Sequence, residues 1–159
     1  MKAVFLKPAD IYVGKAPAEV VTILGSCVSV TMFNERFRFG AICHALLPSS
    51  RILDDADKFR YVDSSMHHML NVFERMGING GELKIKLLGG ANMIERLDGN
   101  SMAVGKKNVE TALRIIAERN LRLVGSDVGG TMGRKIYFST HTGEVLLKRI
   151  EQAIQGSQL

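Results

Sequence analysis

Two side chains in this sequence could together carry nucleophilic chemistry: Cys27, within "TILGSCVSV" (22–30), and His44, seventeen positions later within "GAICHALLP" (40–48). A free thiol with a pKa of about 8.5 is only a few per cent thiolate at neutral pH, and a neighbouring imidazole that accepts or shares its proton lowers that value by several units. Such a pair acts as nucleophile and base toward an acyl carbon. The turn Gly25-Ser26 lies directly ahead of the thiol. Glycine allows positive φ and a close substrate approach, and exposed backbone N–H groups there could hold an oxyanion or bind substrate. An imidazole base also needs an orienting partner. Thr22, Ser26 and Ser29 are candidates, and no Asp or Glu occurs between Glu19 and Glu35, so a hydroxyl or a backbone carbonyl is the expected orienter. Against this stands the bland reading, in which Cys27 is a small core hydrophobe and His44 a structural histidine.

The pairing can be argued from strand geometry. If a turn at Asn34–Phe37 closes an antiparallel hairpin with Phe33 opposite Arg38, the same register brings Cys27 opposite His44. One face then carries Val28, Val30, Met32, Phe39, Ala41 and Cys43, all apolar, and the other carries Cys27, Ser29, Thr31, Phe33, Arg38, Gly40, Ile42 and His44. A slip of one residue would mix these sets. Directly opposed residues have β-carbons about 4.5 to 5.5 Å apart, within thiol-to-imidazole reach. Cys43 falls on the opposite face from Cys27, so a disulfide between them is geometrically poor.

The other chemistry-bearing residues read more plainly. His67 and His68 are adjacent in a helical segment and lack the four-residue spacing of a helical metal pair, and His141 sits at a turn, so no zinc or other metal site is expected. Gly89-Gly90 lacks the Lys-Ser/Thr ending of a P-loop and the third glycine of a dinucleotide fingerprint. It reads as close backbone packing or a substrate rim, and no cofactor is expected. Asp127 and Arg134 flank a second glycine cluster and could pair to hold its turn.

The elements that must position these groups follow from periodicity. The chain to Glu19, with Pro8 and Pro17, reads as irregular; Val20–Leu24, Val28–Phe33 and Phe37–Leu46 read as strands, the last two joined at Asn34-Glu35-Arg36. Arg51–Lys58 is a polar surface loop. Met66, Met69, Leu70, Phe73 and Met76 recur at helical spacing before a stop at Gly77. Glu82–Leu88 alternates as a half-buried strand. A second helix has Asn108 as N-cap, places Val109, Ala112, Leu113 and Ile116 on its apolar face, and ends near Asn120. Leu121–Val124, Lys135–Thr140 and Glu144–Ile150 are strands, the last two flanking a hairpin turn at Thr142-Gly143. The class is mixed α/β, with layered sheets and helices outside.

Composition bounds the rest. At 159 residues, with no internal repeat and no linker, the chain fits one domain that buries about 70% of its unfolded surface and needs neither disulfide nor metal to fold. The opening "MKAVFLKPAD" has no signal-peptide core, and no stretch approaches the apolar length of a transmembrane helix, so a cytoplasmic protein with no stable membrane insertion is expected. Net charge is +5, but the basic residues are scattered and there is no Trp, which argues against nucleic acid as a partner.

The motifs "TILGSCVSV" and "GAICHALLP", followed in order by "LLGGANM" (87–93), "VGKKN" (104–108), "DVGGTMGRKIYF" (127–138) and "TGEVLLK" (142–148), resemble the CheD chemoreceptor glutamine deamidases over most of the chain. The resemblance implies an α/β sandwich similar to the catalytic domain of cytotoxic necrotizing factor. It implies hydrolysis of selected glutamine side chains on chemoreceptor (methyl-accepting chemotaxis protein) helices to glutamate, with Cys27 as nucleophile and His44 as base, and docking to a CheC-type phosphatase. The family pattern sets a catalytic Thr six residues before the Cys, where this chain has Val21; Thr22 is five before. Adjacent strand residues face opposite ways, so Thr22 inherits that role only if the strand is locally irregular, with Ser26 or a carbonyl as substitute. The alternatives are a regulatory binding module for the CheC-type phosphatase, or another thiol acyl-transfer enzyme such as a protease or transglutaminase.

Overall fold

The strand Val28–Asn34 is buried at every position, so it must be covered on both faces. The computed structural model, which describes residues 1–14, 16–50, 57–92 and 104–151, shows what covers it. Among the described residues nine strands run in chain order as β1 (Lys2–Phe5), β2 (Ile11–Gly14), β3 (Ala18–Leu24), β4 (Val28–Asn34), β5 (Phe39–Cys43), β6 (Lys84–Gly89), β7 (Arg122–Val128), β8 (Gly133–Ser139) and β9 (Val145–Ile150), with helices α1 (Val62–Arg75) and α2 (Val104–Glu118). They form two mixed sheets, one ordered β1-β3-β8-β9 and the other β2-β5-β4-β6-β7.

Three layers result. The helix-facing side of the five-stranded sheet, with Val28, Val30, Met32, Ala41 and Cys43, packs on Met66, Met69 and Phe73 of α1 and on Ala112, Ile115 and Ile116 of α2. Its other side meets the four-stranded sheet: Ile42 packs with Val20 and Phe138, and Leu88 with Leu24 and Ile136. The helices therefore lie outside a two-sheet sandwich, and the two faces of β4 and β5 divide as the alternation of residue types requires. The seam between the sheets is unusually polar for an interior, since Thr22, Ser29, Thr31 and His44 are all buried there.

The hairpin register differs from the sequence expectation. Phe33 stands opposite Gly40, not Arg38, and the bridge Val28 to Ala45 continues that pairing. The cause is turn chemistry. Asn34 accepts a hydrogen bond from the Phe37 N–H through Oδ1 (2.9 Å), and Arg38 takes positive φ (49°), so the four-residue turn falls at 35–38, one position later than expected. Because the shift is two residues, every side chain keeps its face. His44 consequently lies opposite Ser29, and Cys27 is its diagonal neighbour.

Other boundaries moved as well. Two short strands, β1 and β2, occupy the region expected to be irregular; β1 runs parallel to β3 and β2 antiparallel to β5. The expected strand Phe37–Leu46 is confined to β5. Helix α2 begins at Val104, which puts Asn108 inside it and not at its N-cap, and Leu113 is 41% exposed while Ile115 takes the buried place. Most of the expected loop Arg51–Lys58 lies outside the described residues. Among the described residues no helix is long and apolar enough to cross a membrane.

Candidate active site

The loop that passes from β1 to β2 crosses from one sheet to the other and wraps His44. The Ala9 N–H donates to the His44 carbonyl (2.9 Å), and the His44 N–H donates to the Asp10 carbonyl (3.3 Å). The ring points into the seam, where its Nδ1 lies 2.6 Å from Thr22 Oγ1. The Thr22 hydroxyl in turn donates its only hydrogen to the Leu6 carbonyl (2.8 Å), which can only accept. Thr22 must therefore accept from His44, so the proton of the neutral ring sits on Nδ1 and Nε2 is left with a free lone pair. Thr22 reaches this position without any irregularity in β3. Its strand pairs with β8 in unbroken register from Glu19 to Leu24, and Ala18, Val20, Thr22 and Leu24 all face inward. Val21, six residues before Cys27, points the other way.

Cys27 follows the Gly25-Ser26 turn and packs beside Leu24, Leu88 and Ile136, on the same seam as Thr22 and His44. A diagonal across an antiparallel pair spans about 7 to 8 Å between α-carbons and less between β-carbons, within reach of an imidazole. Cys43 points into the helix-side core, and both cysteines are free thiols.

All three carbonyls of the turn are engaged. Gly25 accepts from the Ala91 N–H (3.0 Å), Cys27 from the Gly90 N–H (2.9 Å), and Ser26 from Asn108 Nδ2 (3.0 Å). A trans peptide directs its C=O and the following N–H oppositely, and no cis peptide occurs among the described residues. The N–H groups of Ser26 and Cys27 are thereby turned away from β6 and α2, and neither donates to a backbone partner among the described residues. Backbone donors of the neighbouring glycine segments are engaged elsewhere: Gly90, Ala91 and Asn92 donate to Cys27, Gly25 and Gly130, and Gly129 donates to Gly89. Gly89 and Gly90 serve close packing, whereas a β-carbon at Gly129 or Gly130 would meet nothing within 4 Å. Gly89 has φ of +104°, and a β-carbon there would lie 2.4 Å from the Cys27 carbonyl. A half-open cavity of about 420 Å³ borders Gly90, Gly129 and Gly130 together with Lys106 and Val109.

Burial sets the electrostatics. It depresses the His44 pKa to about 4, against a smaller opposing pull from Asp10. It also raises the Cys27 thiol above the ordinary range, against a weaker contribution from the residue's own N–H. The expected lowering of the Cys27 pKa is thus reversed, because desolvation penalises the thiolate and a neutral imidazole supplies no compensating charge. At neutral pH the resting pair is thiol and neutral imidazole. Among the described residues, no group of three or more His, Cys, Asp or Glu side chains converges as metal ligands would.

The expected Asp127–Arg134 pair is present: Arg134 Nε lies 2.7 Å from Asp127 Oδ1, Arg134 also donates to the Gly129 carbonyl, and Arg149 pairs with the other carboxylate oxygen at 2.7 Å. Sequence reasoning did not single out the Leu6 carbonyl, Asp10, or Asn108 as part of the site. Main-chain acceptors leave no residue-type signal, and Asn108 resembled an ordinary helix cap.

Fold and site together define a class: a layered α/β protein that presents a thiol, an imidazole and a hydroxyl along one inter-sheet seam. The family model described as CheD chemotactic sensory transduction matches residues 46–149. The chain is 48% identical over 149 residues to a Geobacter sulfurreducens protein named "Probable chemoreceptor glutamine deamidase CheD 2", covering 94% of this chain and 91% of that one. A match of that length necessarily spans both Cys27 and His44. It is also similar to proteins named "Probable chemoreceptor glutamine deamidase CheD" from Maridesulfovibrio salexigens (39% identity, 96% and 94% of the two chains) and Methanococcus maripaludis (35%, 91% and 93%). This chain belongs to the CheD family.

Proposed function

We propose that this protein is a chemoreceptor glutamine deamidase that works through a Cys27 thioester. The observation that carries the reading is the chain of bonds from the Leu6 carbonyl through Thr22 to His44 Nδ1, because it leaves Nε2 as a base facing the seam that also receives Cys27; the names borne by its relatives supply the substrate class. As the sulfur attacks the glutamine side-chain carbonyl, Nε2 takes the thiol proton. The S–C bond forms and the carbonyl oxygen becomes an oxyanion, held by the N–H groups of Ser26 and Cys27. Collapse expels ammonia, which takes the proton from Nε2 and leaves the thioester. Water, deprotonated by the same nitrogen, then attacks; the second oxyanion collapses with loss of the S–C bond, the departing sulfur takes the proton back from Nε2, and glutamate is released from the restored thiol. Because the resting pair is uncharged, the proton moves during attack, not before it.

Residues 1–159 act as one catalytic unit in this reading, in the cytoplasm, where chemoreceptor signalling helices lie. The two-sheet sandwich with outer helices supports kinship with the catalytic domain of cytotoxic necrotizing factor. A CheC-type phosphatase that docks at the same seam is the partner this family implies. The direct test is mass spectrometry of a receptor cytoplasmic fragment after incubation with the protein. Each targeted glutamine gains about 1 Da with release of ammonia, and Cys27→Ala abolishes the change. A shortened fragment would indicate a protease, an amine adduct a transglutaminase, and an unchanged fragment a binding module; each outcome overturns the proposal.

A further inference from the structure

Asn108 lies outside the Cys-His-Thr trio, yet its wholly buried side chain touches both halves of the site. Both hydrogens of its Nδ2 go to main-chain carbonyls on different segments, Ser26 at 3.0 Å and Leu46 at 3.0 Å. Ser26 precedes the nucleophile. Leu46 follows the base by two residues and falls opposite Cys27 when the observed register is extended past Val28 and Ala45. The Oδ1 of Asn108 is equally buried and has no hydrogen-bond partner among the described residues. A position that merely filled space would be better served by an apolar side chain, since an orphaned buried acceptor is penalised. The donors of Asn108 are what the site uses.

The three carbonyls of the nucleophile turn differ in how they are held. Those of Gly25 and Cys27 are fixed by main-chain N–H groups, whereas that of Ser26 accepts, among the described residues, only from the Asn108 side chain. The Ser26–Cys27 peptide is the one that presents the Cys27 N–H. Resting on the deamidase reading, we propose that Asn108 is a positioning residue for the reaction: it holds the Ser26 carbonyl toward α2 and so turns the Cys27 N–H into the seam as a preset oxyanion donor. Its second bond, to Leu46, ties that peptide to the segment behind His44. Gly105, three residues earlier on the same helix face, makes the reach feasible. A β-carbon there would lie 2.5 Å from the Ala91 carbonyl oxygen and 2.6 Å from that of Gly90, so only glycine lets α2 come this close. The "VGKKN" segment is thus a glycine for approach and an asparagine for grip, with exposed Lys106 and Lys107 between them.

The test compares Asn108→Ala and Asn108→Asp with the wild-type full chain, following ammonia release from a receptor cytoplasmic fragment and, separately, alkylation of Cys27 by iodoacetamide. Removal of one oxyanion donor costs on the order of 10²- to 10³-fold in kcat, and that is the expected fall, with KM changed less than about three-fold; the isosteric Asp, which turns acceptors toward two carbonyls, falls at least as far. Alkylation develops no oxyanion, so its rate stays within about two-fold. A folded variant that keeps wild-type kcat, or that loses alkylation in parallel with turnover, overturns the inference. A wild-type protein that releases no ammonia overturns the deamidase reading, and this inference with it. If neither variant folds, ¹⁵N NMR of the wild type decides. Addition of the Cys27 thiol across the carbonyl of a glutamine-like peptide aldehyde must move the Cys27 amide proton downfield, and an unmoved signal overturns the inference.

Discussion

Thr22 Oγ1 lies 2.6 Å from His44 Nδ1 and 2.8 Å from the Leu6 carbonyl oxygen, so a single hydroxyl joins the two sheets and sets the tautomer of the base. Thr22→Val keeps the shape but leaves both Nδ1–H and the Leu6 carbonyl without a partner. The ring is then free to adopt the tautomer that protonates Nε2. A deamidation rate lower by about 10²-fold or more is expected, and Thr22→Ser recovers most of it. Ammonia release measured for the two variants checks this; equal rates for Val and Ser would remove Thr22 from the mechanism.

The same burial that keeps His44 neutral makes the protein sensitive to acid. With a folded pKa of about 4 and an unfolded value near 6.5, the unfolded chain binds a proton that the folded chain excludes. Stability in this contribution is full above about pH 6.5, falls as pH drops toward 4, and is flat below. The loss reaches at most about 3 kcal/mol. Denaturant melts of wild type and His44→Gln across this range should diverge, the wild type showing the steeper decline. Turnover follows the folded pKa, so its acid limb lies well below that of an ordinary histidine.

The two thiols should react very differently. Cys43 is fully buried, and burial pushes its pKa up to about 12, whereas Cys27 is partly exposed at the seam. Iodoacetamide should label Cys27 first and abolish deamidation at one equivalent, while Cys43 reacts only on unfolding. Because burial also raises Cys27, its labelling below pH 8 is slower than that of an ordinary cysteine and rises steeply with pH. Peptide mapping after timed labelling reads this out, and prior modification of Cys43 would contradict the layered assignment.

Much of this was legible in the chain because period-two alternation separates two chemically distinct faces. Val28, Val30 and Met32 against Ser29 and Thr31 fixed which residues of the hairpin share the apolar face, and that survives a two-residue error in register, which preserves face. The register itself was not legible, since the Asn34 side chain and the positive φ of Arg38 set a four-residue turn one position later in the chain than residue types alone signal. β1 and β2 escaped for a related reason: four-residue strands beside Pro8 carry too few alternations to be seen. Thr22 was readable as one of three hydroxyls that could orient His44 but not as the one that does, because its contact depends on how the opposing sheet is laid over β3. Asn108 was misplaced because residues that grip a carbonyl from inside a helix are the same types that cap one.

Asp127 accepts from two arginines of unlike burial, and the contrast can be measured. Arg134 is 3% exposed with Nη1 already unpartnered among the described residues, while Arg149 is 48% exposed. The Asp127 carboxyl is held below its usual range, first by its hydrogen bond to Arg149 and further by Arg134. Asp127→Ala strips the buried guanidinium of its counter-charge and should cost about 2 to 4 kcal/mol. Arg149→Ala removes an exposed partner and should cost under about 1 kcal/mol. Chemical denaturation of both variants tests the ordering, and equal losses would show that Arg134 draws its stability from the Gly129 carbonyl instead.

Gly105 offers a way to move the helix without touching any polar group. In Gly105→Ala the added methyl meets main-chain atoms of Gly90 and Ala91, which cannot rotate aside as a side chain would. Relief must come from α2 lifting off β6. Alanine gains about 1 kcal/mol of helix propensity over glycine, but overpacking against backbone costs about 1 to 3 kcal/mol, so a modest net destabilisation is expected. The catalytic effect should exceed it. A few tenths of an ångström at Gly105 lengthen both 3.0 Å bonds from Asn108, and deamidation should fall by at least about ten-fold while the protein stays folded at room temperature. A melt paired with ammonia release measures both quantities. A variant destabilised to this extent with undiminished turnover would separate the seating of α2 from the chemistry at Cys27.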